Sequence, residues 1–120
     1  MRKVIPRRLK PNKFRKKWLE LQKLCARPET WPLAVTRADK LLDEALKKKR
    51  CKGKSMGERL VSAQHLLSDN DSVWYSHNLA KKVVAETSLK LRQTQVRKSL
   101  VGFGRALKDL GALNEQQTNE

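Results

Sequence analysis

The stretch TWPLAVTRADKLLDEALKKKR, residues 30–50, has the pattern of one long amphipathic helix. It opens with a Thr-Trp-Pro start signature, in which proline falls near the first helical position. Apolar residues then recur at intervals of three and four and predict a helix over 32–49. Its expected buried face holds Ala34, Ala38, Leu41, Leu42, Ala45 and Leu46, and its expected outer side holds Asp39, Asp43 and Glu44.

Upstream of this helix, the periodicity predicts another at about 13–26. Phe14, Trp18, Leu21 and Cys25 form one apolar stripe, and Asn12 is the predicted N-cap. Most of the cations in this segment lie off the stripe, so one face can pack while the other contacts phosphates. Residues 1–11 contain two prolines and five Lys or Arg, and are expected to be extended and too charged to pack.

Three more helices are predicted downstream. A capping box at 55–58 precedes one at about 56–67, and the turn at 69–71 caps one at about 72–92. Thr94 is the predicted cap of the last, at about 95–110, and Gly111 is its C-terminal cap. The Gly-Phe-Gly at 102–104 follows no strand, so it indicates close approach of a neighbouring helix rather than a phosphate loop. Predicted inward positions are Met56, Leu60, Ala63 and Leu67, then Val73, Trp74, His77, Ala80, Val84 and Leu91, then Val96, Leu100, Phe103, Leu107 and Leu110.

Together these segments predict an all-α fold: a small bundle of four to five helices with an extended basic N-terminal arm. No segment shows the alternation of a β-strand, and there is no internal repeat. The expected organisation is a basic arm and first helix at 1–28, a helical bundle at 29–113 and a polar C-terminal tail at 114–120.

The excess positive charge lies in two short stretches. Residues 1–28 hold eleven Lys and Arg against the single acid Glu20, and the stretch KKKRCKGK at 47–54 holds six and no acid. The remaining residues are balanced, so these two stretches account for the net charge of +16. Because each phosphate neutralised by Lys or Arg releases condensed counterions, this layout predicts a polyanionic partner.

The predicted phosphate contacts to RNA lie in these two stretches. They are Arg2, Lys3, Arg7, Arg8, Lys10, Lys13, Arg15, Lys16, Lys17, Arg27, Lys47, Lys48, Lys49, Arg50, Lys52 and Lys54. Trp31 lies at a helix start beside the basic arm and is the best candidate for stacking on a base. Packing in the core is nevertheless the expected role of all three tryptophans, Trp18, Trp31 and Trp74.

Side chains suited to catalysis are few. His65 and His77 fall near the inner faces of their helices, where a core histidine with a satisfied hydrogen bond is the ordinary role. Cys25 and Cys51 have no histidine nearby in the sequence, and no group of His, Cys, Asp or Glu has metal-ligand spacing. The sequence therefore predicts no enzyme, no metal, no cofactor and no small-molecule substrate.

The chain is expected to be cytoplasmic, with no membrane partner. No apolar stretch approaches the roughly 20 residues of a transmembrane helix, and no apolar segment follows the N-terminal charges as in a secretory signal. Two cysteines make neither a disulfide framework nor a zinc site. A mitochondrial transit peptide is the alternative for the Arg-rich N-terminus, but residues 1–28 contain no serine, and Pro6 and Pro11 interrupt the helix such peptides form.

The stretch at 30–60, VWYSHNLAKKVVAET at 73–87 and ALKDLGAL at 106–113 together resemble small helical proteins of candidate-phyla (Patescibacteria) bacteria that look like HEPN-type domains. The resemblance implies a helical, RNA-associated bundle over about 30–113. In HEPN ribonucleases an Arg, followed by a polar residue, precedes a His by four to six positions on a late helix. In the matching segment 79–86, Ala80 and Ala85 occupy those places, which implies a scaffold without the nuclease site.

Three functions are compatible with these observations. The prediction is a structural rRNA-binding protein, a lineage-specific ribosomal protein whose partners are rRNA and neighbouring ribosomal proteins. The first alternative is a metal-independent HEPN-type ribonuclease that uses Arg59 and His65, which have the Arg-x5-His spacing. The second is a non-specific DNA-binding protein, disfavoured because no helix-turn-helix or coiled-coil pattern is present.

Overall fold

The computed structural model describes residues 9–114, and every regular element in that range is helical. The five α-helices are α1 Pro11–Lys23, α2 Trp31–Lys48, α3 Met56–Ser62, α4 Asn70–Ala85 and α5 Gln93–Asp109. Two 3-10 turns, Leu24–Ala26 and Pro28–Thr30, join α1 to α2. The predicted all-α bundle is confirmed for this range, whereas residues 1–8 of the predicted arm and 115–120 of the predicted C-terminal tail lie outside it.

Helix α2 is the centre of the bundle. It contacts each of the other four helices, and α4 and α5 form the most extensive helix pair beside it. All the inward positions predicted for α2 are buried, together with Val35. Helix α1 runs antiparallel to α2, and Phe14, Trp18 and Leu21 join the same core as predicted. The arrangement leaves the charged sides of α1 and α2 next to each other.

Helix α1 begins earlier than predicted. Pro11 occupies its first turn, and Lys10 at the N-cap makes no side-chain capping bond, so Asn12 is inside the helix rather than its cap. Proline suits this position because its missing N–H would have no partner in the first turn. Leu9 is 7% exposed and packs into the core. The expectation that residues up to 11 are extended and unpacked is therefore wrong for Leu9, which is buried, and for Pro11, which is helical, whereas Lys10 is extended and exposed.

The predicted caps of α3 and α4 are confirmed. Ser55 Oγ accepts from the Glu58 N–H at 3.2 Å, and Asp69 Oδ1 accepts from the Ser72 N–H at 3.1 Å. The Thr94 cap is wrong: α5 begins at Gln93, and Gln95 Oε1 accepts from the N–H of the N-cap residue Arg92 at 2.8 Å. The longer glutamine reaches back one turn and satisfies a donor that Thr94 cannot reach.

Two helices end before their predicted termini. Helix α3 stops at Ser62, and the turn that follows leaves His65 exposed rather than inward. Helix α4 stops at Ala85, and Val84 is 71% exposed, not buried. Ala80 is the last buried residue of α4, and Glu-Thr-Ser at 86–88 offers no apolar side chain to continue the packed face. Without that burial, helix propensity alone does not extend α4 to residue 92.

Candidate nucleic-acid interface

The antiparallel pairing of α1 with α2 brings cations from the two basic stretches together. Lys17 Nζ lies 3.0 Å from one carboxylate oxygen of Glu44, and Lys48 Nζ lies 3.5 Å from the other. Lys48 Nζ also lies 5.6 Å from the centre of the Phe14 ring, which fixes its stem against α1. Glu44, predicted on the outer side of α2, thus links two ammonium groups that are far apart in sequence.

The surface between the helices continues this charge towards the start of α2. We call it the basic groove and define it by the cations Lys13, Lys17, Arg37, Lys40 and Lys48 with the acids Glu20 and Glu44. A shallow depression of about 240 Å³ lies along it, with Leu21 and Leu41 among its lining residues. Five cations face two acids here, so the groove carries a net positive charge.

The cations of the groove lie close enough together to shift the pKa values of neighbouring side chains. The positive charge of nearby Lys48, and then that of Lys17, lower the pKa of Lys13. Desolvation raises the pKa of Glu44, but its hydrogen bonds and charge interactions with Lys17 and Lys48 outweigh this and hold that pKa below its usual value. The groove is therefore a site of mutual repulsion among cations that one carboxylate only partly offsets.

We expect the pairing of α1 with α2 to weaken as pH falls below about 4. Because the pKa of Glu44 is lower in the folded chain, its contribution to stability is complete above its unfolded pKa and is lost as pH falls through the folded one. The measurement is the unfolding free energy of wild type and Glu44→Gln between about pH 2.5 and pH 7. The gap between the two should close at the acid end, and a constant gap would contradict this role.

The second basic stretch ends in an ordered loop. The Gly53 carbonyl accepts from Arg59 Nη1 at 3.0 Å, the Lys52 carbonyl accepts from Ser62 Oγ at 2.6 Å, and the Lys54 N–H donates to Glu58 Oε1 at 2.8 Å. Bonds to the main chain hold the loop against α3. The exposed side chains of Lys52 and Lys54 are thus presented from a fixed backbone.

The remaining predicted contact residues are spread over the surface. Lys10, Arg15, Lys16, Lys47 and Arg50 are exposed, and Arg27 is exposed at the opposite end of the α1–α2 pair from Lys48. Lys49 lies beside Leu9, Pro11, Leu110 and Gly111. Arg2, Lys3, Arg7 and Arg8 lie outside the described residues. The structure therefore brings Lys13, Lys17 and Lys48 together and leaves Arg27 apart from them.

Sequence reasoning missed Arg37 and Lys40, because both belong to the electrically balanced part of the chain. Assigning each residue of α2 to a face of the helix would have placed them beside Glu44 and Lys48. Residues 37, 40, 44 and 48 are spaced by three, four and four positions, and so share one side of a helix. That side is the one turned towards α1.

The tryptophans are placed mostly as predicted. Trp18 is 2% exposed in the core, and Trp74 packs edge-on against the His77 ring with centroids 5.9 Å apart. Trp31 is half-buried, and its Nε1 donates to the Cys25 carbonyl at 2.9 Å. One edge of Trp31 is therefore fixed by the turn between α1 and α2, which orients the ring.

The histidines differ in their surroundings. His77 is buried, with Nδ1 2.9 Å from Asp39 Oδ1, as predicted for a core histidine with a satisfied hydrogen bond. His65 is exposed. The Arg59 guanidinium donates from Nε and Nη2 to Asp43 at 2.7 and 2.8 Å, and this bonding raises the pKa of Arg59. Arg59 is thus bound to Asp43 and to the loop carbonyl.

Among the described residues, no three His, Cys, Asp or Glu side chains are grouped to hold a metal ion. Burial raises the pKa of both free thiols, Cys25 and Cys51. None of the described helices is both long and apolar enough to cross a membrane. Comparison with protein-family models, curated protein sequences and solved structures finds no match to this chain.

Proposed function

We propose that this chain is a structural rRNA-binding protein, a lineage-specific ribosomal protein anchored by phosphate contacts. The observation that carries the proposal is the basic groove. There Lys13, Lys17 and Lys48 come from two separate basic stretches and lie around Glu44, one of the two acids of the groove. A fold under no demand for an anionic partner gains nothing from gathering like charges, because their repulsion opposes folding.

Phosphates supply the counter-charge that the groove lacks. A nucleic-acid backbone lying along α1 and α2 neutralises the cations and releases their condensed counterions, which favours binding. Glu44 holds Lys17 and Lys48 in place, so less side-chain freedom is lost on binding. The ordered loop that carries Lys52 and Lys54 adds contacts from backbone already fixed by α3.

The proposed contacts are to the phosphate backbone of the RNA and do not distinguish one base sequence from another. Lysine binds phosphate as a point charge, and the groove lacks the paired Asn, Gln and Arg side chains that read base edges. Such a surface suits a structured RNA whose shape presents rows of phosphates. For this reason we place the partner in the class of folded ribosomal RNA, with neighbouring ribosomal proteins around it.

Two measurements test the proposal. On a sucrose gradient at high salt, the protein should co-migrate with one ribosomal subunit or the whole ribosome. Its affinity for purified rRNA should fall with a log–log salt slope of about −6 to −7 if about eight cations meet phosphates. Recovery only at the top of the gradient contradicts the ribosomal assignment. A slope shallower than about −3 contradicts phosphate anchoring. If the protein binds duplex DNA as tightly as rRNA, the proposed partner becomes nucleic acid in general rather than RNA.

A further inference from the structure

A second groove, distinct from the basic groove, lies on the other flank of α1. It is an open cleft of about 550 Å³ between α1 with Trp31 on one side and α5 on the other. This volume is in the range of small-molecule and single-nucleotide sites. The side chains that the argument uses are Trp18, Gln22, Trp31, Gln93, Arg97 and Arg105.

The wall of the cleft contains an unsatisfied donor. Trp18 is 2% exposed, and its Nε1–H has no hydrogen-bond partner among the described residues. A buried indole N–H without an acceptor costs free energy comparable to a lost hydrogen bond, and tryptophans normally avoid this. The nitrogen itself is covered by the protein, so other atoms of the Trp18 ring line the cleft.

The rim of the cleft is cationic. Arg97 and Arg105 are exposed on α5 and line the same side. Two acids lie near this rim. Asp109 already accepts from both the N–H and the hydroxyl of Ser68 at 2.8 Å. Asp69 already accepts from the N–H and the hydroxyl of Ser72, and these bonds, together with the charge of Arg105, lower the pKa of Asp69. Guanidinium groups bind phosphate with paired donors, which makes the rim suited to an anionic group.

We propose that the cleft takes one unpaired nucleotide of the bound RNA. The half-buried Trp31 ring and the side chain of Leu100 supply apolar surface for the flat base. The amides of Gln22 and Gln93, which line the cleft, meet its ring nitrogens and carbonyls. Arg97 and Arg105 bind the adjoining phosphate. The inference rests on the proposed RNA-binding function and adds a second site to it.

The two grooves flank a single helix, which explains how one RNA engages both. Lys17 and Leu21 face α2 across the basic groove, whereas Trp18 and Gln22 face α5 across the cleft. An RNA stem bound along the basic groove therefore lies only the width of α1 away from the cleft that takes the nucleotide. A bulged nucleotide extruded from such a stem meets the cleft at its rim.

The experiment compares labelled RNA hairpins by fluorescence anisotropy. Four hairpins each carry one of the four unpaired nucleotides in the stem, and a fifth is fully paired. Wild type should bind at least one bulged hairpin about tenfold tighter than the paired one, as stacking of a base predicts. The double variant Arg97→Gln/Arg105→Gln should lose this preference. The control Lys81→Gln/Lys82→Gln removes the same charge from exposed positions on α4 and should keep the preference.

The outcomes separate the cleft from the basic groove. If all hairpins bind equally with a steep salt dependence, the cleft assignment is overturned and phosphate anchoring stands. A preference for the bulged hairpin that survives in the double arginine variant also overturns it. If no hairpin binds at low salt, both proposals fail. Because both arginines are exposed, the double variant should fold as the wild type does.

Discussion

Replacing Lys13, Arg37 and Lys40 with glutamine is expected to weaken rRNA binding about 100-fold at about 0.15 M salt. With a duplex-like RNA, each phosphate contact adds about 0.9 to the steepness of the log–log dependence of affinity on salt. Losing one contact therefore lowers the affinity about fivefold at that salt concentration. The slope itself should become shallower by about 2 to 3. The measurement is a titration of the same rRNA at several salt concentrations.

The fold should survive this triple change. All three side chains are exposed, and Lys17 and Lys48 keep their ion pairs with Glu44. Lys13 lies near two other cations and Glu44, and the cations dominate, so its neutralisation relieves more repulsion than it removes attraction. The unfolding free energy of the variant should therefore equal or exceed that of wild type, which assigns any loss of binding to the interface.

A matched control separates the groove from net charge. The variant Lys81→Gln/Lys82→Gln/Lys90→Gln removes three charges from exposed positions outside the groove. At about 0.15 M salt the screening length is about 8 Å, so charges outside the contact surface should change affinity by less than about threefold. Equal losses in the two triple variants would show that overall charge governs binding and would contradict an interface at the groove.

The faces of single helices were predictable because periodicity fixes them. The stripe of Phe14, Trp18 and Leu21 and the buried face of α2 are where the spacing places them. The ends of helices were less predictable. Helix α4 stops where tertiary burial ends, and the exposed Val84 shows that an apolar residue at the right spacing does not guarantee a partner.

The sites depend on two helices at once, and this limited their prediction. The sequence located the cations of α1 and of the 47–54 stretch, but not the register that sets Lys17 beside Glu44. Without that register, Arg37 and Lys40 could not be assigned to the same groove. The cleft was harder still, because it depends on the space that α1 and α5 leave between them. The partnerless Trp18 N–H has no signature in the sequence.

The close approach predicted at the Gly-Phe-Gly of α5 is confirmed at Gly102. Ser76 Oγ lies 3.0 Å from the Ser72 carbonyl and 2.7 Å from the Ser99 carbonyl, and donation of its single proton to Ser99 joins α4 to α5. A Cβ at Gly102 would meet Ser76 Oγ and would lie 2.7 Å from the Ser72 carbonyl oxygen. A carbonyl inside a helix cannot rotate away as a long side chain can.

Gly102→Ala is therefore expected to destabilise the fold by about 2 kcal/mol. Pushing α4 away from α5 costs about 3 kcal/mol, which is at the upper end of the range for overpacked sites. The higher helix propensity of alanine stabilises the variant by about 1 kcal/mol and offsets part of this cost. For a domain of this size the melting temperature should fall by about 10 °C. Thermal and denaturant unfolding measure both quantities.

Gly57→Ala is the matched control, since Gly57 also lies inside a helix. A Cβ there would be 3.6 Å from Cη2 of Trp74, an ordinary van der Waals contact. Alanine should thus stabilise the chain at Gly57 by up to about 1 kcal/mol while it destabilises the chain at Gly102. Adding Ser76→Ala to Gly102→Ala should recover only part of the loss, because the Ser72 carbonyl remains in the way. If both glycine variants are stabilised by the same amount, the helix propensity of alanine outweighs any steric clash at Gly102. That result would show that α4 and α5 are not held in contact at Gly102.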